Sequence, residues 1–128
     1  MDNTALVEPE IATGRDVTEA LDQAGVSVPA VFWFYLLDAE EWRLIIATPL
    51  VDTEGPKKAY ANLQRVLSKR QPPLNIDLRR ISLVSPRDPL IQLLRRALKT
   101  GPQISGIRFR QNAINNVFIE DAYIYRLL

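Results

Sequence analysis

The chain has 128 residues, 47% hydrophobic and 24% charged, with a formal net charge of +1, the mix expected of one globular domain long enough to bury a core. It contains neither cysteine nor histidine. That excludes a disulfide framework, thiol chemistry, a Cys/His zinc site and any Ser-His-Asp or Cys-His nucleophile built from this chain alone. Chemistry at neutral pH would then rest on carboxylates, lysine, tyrosine or a carboxylate-bound metal.

Residues 1–12, "MDNTALVEPEIA", lack the basic start and apolar stretch of a secretory signal and read as a flexible leader, with one domain over 13–128. The longest apolar run, Ala30 to Leu37, is far short of the roughly 20 residues that a membrane-spanning helix requires. The expectation is a cytoplasmic protein without membrane contact. The first helix signal is "TGRDVTEALDQAG". Thr13 and Asp16 have capping-box spacing, Val17, Ala20, Leu21 and Ala24 share a face, and Gly25 is placed to end the helix.

Two β-rich runs follow, "VFWFYLL" and "EWRLIIATP". A turn at Asp38–Glu41 sets Leu37 opposite Trp42, Tyr35 opposite Leu44 and Trp33 opposite Ile46. One face then carries Trp33, Tyr35, Leu37, Trp42, Leu44 and Ile46, the other Phe32, Phe34, Leu36, Arg43, Ile45 and Ala47. A half-exposed hairpin should alternate apolar with polar; this one is apolar on both faces. Either it is central and covered twice, or one face meets another subunit. Phe32, Trp33, Phe34 and Trp42 are therefore the candidate partner-binding residues.

A second helix runs from about Glu54 to Arg70. Pro56 lies in its first turn, Ala59, Tyr60, Leu63, Val66 and Leu67 form its buried stripe, and Lys58, Arg65 and Lys69 its outer face. "QPPLN" breaks the chain and "IDLRRISLVS" reads as a strand. A third helix is capped by Ser85 or Asp88 and ended by Gly101-Pro102. Leu90, Leu94, Ala97 and Leu98 turn inward; Gln92, Arg95, Arg96 and Lys99 turn outward. Asn115-Asn116 predicts a two-residue hairpin turn, because Asn tolerates positive φ. It pairs Ile107 with Ile124, Phe109 with Ala122 and Ala113 with Phe118 on an apolar face. Arg110 falls opposite Asp121, Arg108 opposite Tyr123 and Gln111 opposite Glu120. Neighbouring strand residues point opposite ways, so the adjacent Glu120 and Asp121 are split across the sheet and do not form a catalytic pair.

The predicted order αββαβαββ gives an α+β fold: a largely antiparallel sheet of about five strands, made of two hairpins and one strand, with three helices packed on it. Charge is unevenly divided along it. Residues 1–55 hold eleven acidic residues against Arg15 and Arg43, a net of −9, whereas 56–128 carry a net of +10. Such asymmetry points to a nucleic-acid, membrane or oppositely charged protein partner, or to two halves that meet inside one domain. If the second and third helices lie side by side, Lys58, Arg65, Lys69, Arg95, Arg96 and Lys99 form one basic patch.

No dinucleotide-binding glycine motif, Walker loop or EF-hand spacing occurs. "TEGPKK" is a weak phosphate-binding signal, since Pro56 removes a donor at the helix start. The leading expectation is a non-enzymatic, self-associating or protein-binding accessory domain that requires no cofactor and acts as a homo-oligomer or with a protein partner. The alternative is a nucleic-acid-binding accessory protein using the basic patch. A metal-dependent carboxylate enzyme comes third.

Overall fold

Glu8, Pro9 and Glu10 open the first helix by helix-end chemistry: Pro9 fits a first turn, and the two carboxylates complement the dipole. Glu10 Oε1 also accepts from the Val7 N–H at 3.3 Å. In the computed structural model, which describes residues 5–74 and 76–128, this helix α1 spans Glu8–Gln23. It starts five residues before Thr13, so the second half of the expected leader is helical; residues 1–4 lie outside the described residues. Thr13 does not cap it, and its hydroxyl instead donates to the Pro9 carbonyl at 2.8 Å. At the other end Gly25 takes φ +75°. The Gly25 and Val26 N–H groups return to the Asp22 and Leu21 carbonyls, both at 3.0 Å, closing a Schellman motif.

Strands β1 (Ala30–Leu36) and β2 (Glu41–Ala47) form the first hairpin. Its register is two residues from the expected one, with Trp33 opposite Leu44 and Tyr35 opposite Trp42. The chain turns at Leu37–Glu40, leaving Leu37 half exposed and bringing the Tyr35 and Trp42 rings to 5.4 Å between centroids. Because side chains alternate with period two, an even shift leaves the expected division of faces unchanged.

An additional short helix α2 (Leu50–Thr53), which the sequence reading did not foresee, precedes the expected second helix, α3 (Pro56–Lys69), across Gly55 (φ +87°). A 3₁₀ turn at Leu78–Arg80 shortens the next strand to β3 (Ile81–Val84). Helix α4 (Pro89–Arg95) is capped by Asp88, which accepts from Leu90 N at 2.9 Å. It stops well before Gly101, and the following segment docks along the last strand through Thr100 N to Leu127 O at 2.7 Å and Ser105 N to Tyr125 O at 2.7 Å. Strands β4 (Ile107–Ile114) and β5 (Val117–Leu127) complete the fold, turning at Asn115 (φ +49°) and Asn116 (φ +66°).

The five strands form one sheet in the order β3-β2-β1-β5-β4, antiparallel except for the parallel β2–β3 pair. The α+β class and largely antiparallel sheet agree with the sequence reading. Strand β1 is central, so each face of the tryptophan hairpin is covered. Trp33, Tyr35, Trp42, Leu44 and Ile46 pack beneath α1 and α3 with Val17, Leu21, Leu63 and Leu67. Phe32, Ile45 and Ala47 pack with Ile91 and Leu94 of α4 on the opposite face.

The second hairpin has the expected register from Ile107–Ile124 through Arg110–Asp121 and again at Ala113–Phe118. Its exposure departs from expectation beyond Gln111, where φ is +46°. Ala113 is exposed and Phe118 is 52% exposed, whereas Ile114 and Ile119 are buried among the α4-side core. A left-handed residue in a strand breaks regular alternation, and Gln111 itself drops out of the ladder opposite Glu120.

Candidate functional site

Phe32 and Trp33 are fully buried and Trp42 is 5% exposed; of the four residues expected to meet a partner, only Phe34 reaches the surface in part. Trp33 is committed within the fold. Its Nε1 donates to Tyr125 Oη and to the Glu10 carbonyl, each at 3.1 Å, and the Arg80 guanidinium covers its ring at 5.0 Å. The two-sided apolar pattern is thus the signature of a central hairpin.

The six basic residues do not form one patch. Helix α3 packs on one face of the sheet and α4 on the other, which separates Lys58, Arg65 and Lys69 from Arg95, Arg96 and Lys99. On α4, Arg95 Nε donates to the Leu128 carbonyl at 2.6 Å. Arg96 donates to Asn115 at 3.2 and 3.3 Å once that amide presents its oxygen. Lys58, Arg65 and Lys69 have no carboxylate partner among the described residues.

Much of the charge asymmetry along the chain is resolved inside the domain. Acidic α1 meets the basic half through Glu10–Arg80, Asp16–Arg70 at 3.8 Å and Asp22–Arg126 at 2.7 Å. Asp121, 5% exposed, is held by Arg108 through two bonds of 2.6 and 2.7 Å and by Arg110 at 3.4 Å. The partner expected directly across the strands is therefore the weaker of the two. Asp121 raises the pKa of Arg108 through their hydrogen bonds, and Arg108 also lies 5.8 Å from the Trp42 ring centroid.

Two further features were not read from the sequence. The first is the outer half of the second hairpin. Val117 and Phe118, 47% and 52% exposed, follow the turn on opposite faces of β5, with Ile107 36% exposed at the other end of β4. Strand β4 is the last of the sheet, so its outer backbone edge pairs with no other described strand. The opposite edge is treated differently: Tyr60 Oη accepts from Leu83 N at 3.0 Å and donates to Ile81 O at 3.2 Å, which closes part of the outer side of β3. The signal for this hairpin was "NNVF", an asparagine turn followed by two large apolar residues.

The second feature is a cleft of about 690 Å³ between the C-terminal half of α1 and α3. Arg65, Lys69 and Arg70 line it together with the amides of Gln23, Asn62 and Gln71. Ala20 of α1 and Ala24 just after it keep it open, and none of its described lining residues is acidic. An adjoining cleft of about 370 Å³ shares Asn62 and Arg65 and adds Lys58 and the acidic Glu54. Arg65 and Lys69 were identifiable as exposed cations, but the α1 wall requires the tertiary packing.

No group of three acidic residues among the described residues is arranged to hold a metal, and no described helix is long and apolar enough to cross a membrane. No family model, curated protein or solved structure matches the chain.

Proposed function

We propose that the protein is a non-enzymatic, self-associating accessory domain whose contact surface is the outer β4–β5 hairpin. The observation that carries this reading is the open β4 edge together with the half-exposed Phe118 near its hairpin end. An unpaired edge offers a row of backbone donors and acceptors to another chain, and adjacent apolar side chains supply the burial that makes such pairing worthwhile. The sheet's other edge is partly closed by Tyr60, which supports a single preferred pairing side. A two-fold contact through β4 would extend the sheet from one subunit into the next.

Sedimentation equilibrium across a concentration series tests it. The wild type should associate, and Phe118→Asp should be monomeric with an unchanged thermal melt, because Phe118 is half exposed and contributes little to the core. A wild type that remains monomeric at the highest concentration, or a Phe118→Asp variant that associates as well as wild type, rules out this surface. The nucleic-acid reading draws support from the α3 cations, which lie apart from those of α4.

A further inference from the structure

We propose that the α1–α3 cleft is a binding site for a small organic phosphate of the nucleotide class. Its volume of about 690 Å³ falls within the roughly 300–1,000 Å³ typical of small-molecule sites. Its composition points to an anion with a polar body. Arg65, Lys69 and Arg70 supply the positive charge, and Gln23, Asn62 and Gln71 supply both donors and acceptors capable of meeting the edge of a heterocycle. Ala24 and Val66 offer apolar surface against which a ring can rest.

Unspent charge is the second argument. Arg43, Arg79, Arg80, Arg87, Arg108, Arg110 and Arg126 each have a carboxylate within 3.5 Å. Arg65 and Lys69 have none among the described residues, and Arg70 reaches Asp16 only at 3.8 Å. Arg65 and Lys69 are two of several cations with no carboxylate partner among the described residues, and the cleft sets these two beside Arg70.

The third argument is extent. Lys58, Asn62, Arg65 and Lys69 recur at helical spacing along one side of α3, and from Lys58 to Lys69 the stripe is about 16 Å long at 1.5 Å per residue. The two clefts share Asn62 and Arg65 along this stripe. A single phosphate would occupy only part of it, whereas a nucleoside polyphosphate can set its phosphates against Arg65, Lys69 and Arg70 and rest its body on Gln23, Asn62 and Gln71.

Isothermal titration calorimetry of the full chain with ATP, inorganic pyrophosphate, adenosine and a single-stranded DNA oligonucleotide tests the site. One ATP per chain is expected, with pyrophosphate weaker and adenosine weakest. The double variant Arg65→Glu/Lys69→Glu should lose at least about tenfold in affinity, the equivalent of 1.4 kcal/mol, whereas Lys99→Glu on the opposite face should bind as wild type. Arg65 and Lys69 are exposed, so an unchanged circular-dichroism melt will show that the double variant is folded. Absence of ATP binding, ATP binding that survives the double variant, or an equal loss in Lys99→Glu overturns the proposal. Binding of the oligonucleotide without ATP or pyrophosphate also overturns it and assigns the α3 stripe to a polymer backbone. None of these readouts depends on self-association through β4.

Discussion

The Tyr125 hydroxyl is a small knot that joins three elements. It donates to the Ile11 carbonyl of α1 at 2.6 Å and accepts from Trp33 Nε1 of β1 at 3.1 Å. Gly14 permits this approach, because a Cβ there would collide with the phenol. Burial pushes the Tyr125 pKa well above its usual 10.0, opposed in part by the Trp33 hydrogen bond. The unfolded chain therefore releases this proton first as pH rises. Stability from the buried phenol is fully present below pH 10 and falls above it, with a limiting slope of about 1.4 kcal/mol per pH unit. Urea midpoints measured from pH 9 to pH 11 should fall in the wild type and fall less in Tyr125→Phe, which has no proton to lose. Equal declines in both proteins would mean that other groups set the alkaline limit.

Among elements, α4 is sensitive to single changes. It has seven residues, too few to be stable without tertiary contacts, yet it contributes Ile91 and Leu94 to the core on its side of the sheet. The Asp88 side chain satisfies the Leu90 N–H at 2.9 Å. Asp88→Ala should lower stability by about 1 kcal/mol, the usual cost of losing a polar N-cap, as a shift of the urea midpoint with an unchanged slope. No change would mean that water replaces the cap fully. The β4–β5 hairpin illustrates a different limit. Its asparagine turn and ladder register were legible, because local φ preferences and strand pairing dictate both. The exposure of Phe118 was not, because it follows a left-handed Gln111 that no residue preference anticipates.

For the whole molecule, the division into acidic and basic halves describes in part how the chain closes on itself. Arg126 shows this best: it is 6% exposed and bonds to both Asp22 oxygens at 2.7 and 3.0 Å and to the Val28 carbonyl at 3.2 Å. Its Nε has no hydrogen-bond partner among the described residues, so the buried guanidinium depends heavily on Asp22. Asp22→Ala should cost about 2 kcal/mol by chemical denaturation. Breaking a fully buried pair costs about 3–5 kcal/mol, and the solvent around the 38%-exposed Asp22 side chain reduces that. A loss under about 0.5 kcal/mol, the range of exposed pairs, would show that Arg126 finds water instead. The separation of α3 from α4 belongs to the same scale. Six cations on two amphipathic helices read as one surface only if the helices are neighbours, and one sheet stands between them.

The sequence by itself determined the α+β class, the two hairpins, the faces of the first and the turn of the second, since each follows from side-chain periodicity and local backbone preference. It also limited the available chemistry, through the absence of cysteine and histidine. Tertiary structure alone decided that the tryptophans lie inside, that the basic residues face two ways, and that α1 and α3 enclose a cleft. Those outcomes depend on which elements become neighbours. Neighbourhood is set by the sum of many contacts distant in sequence, which no local pattern records.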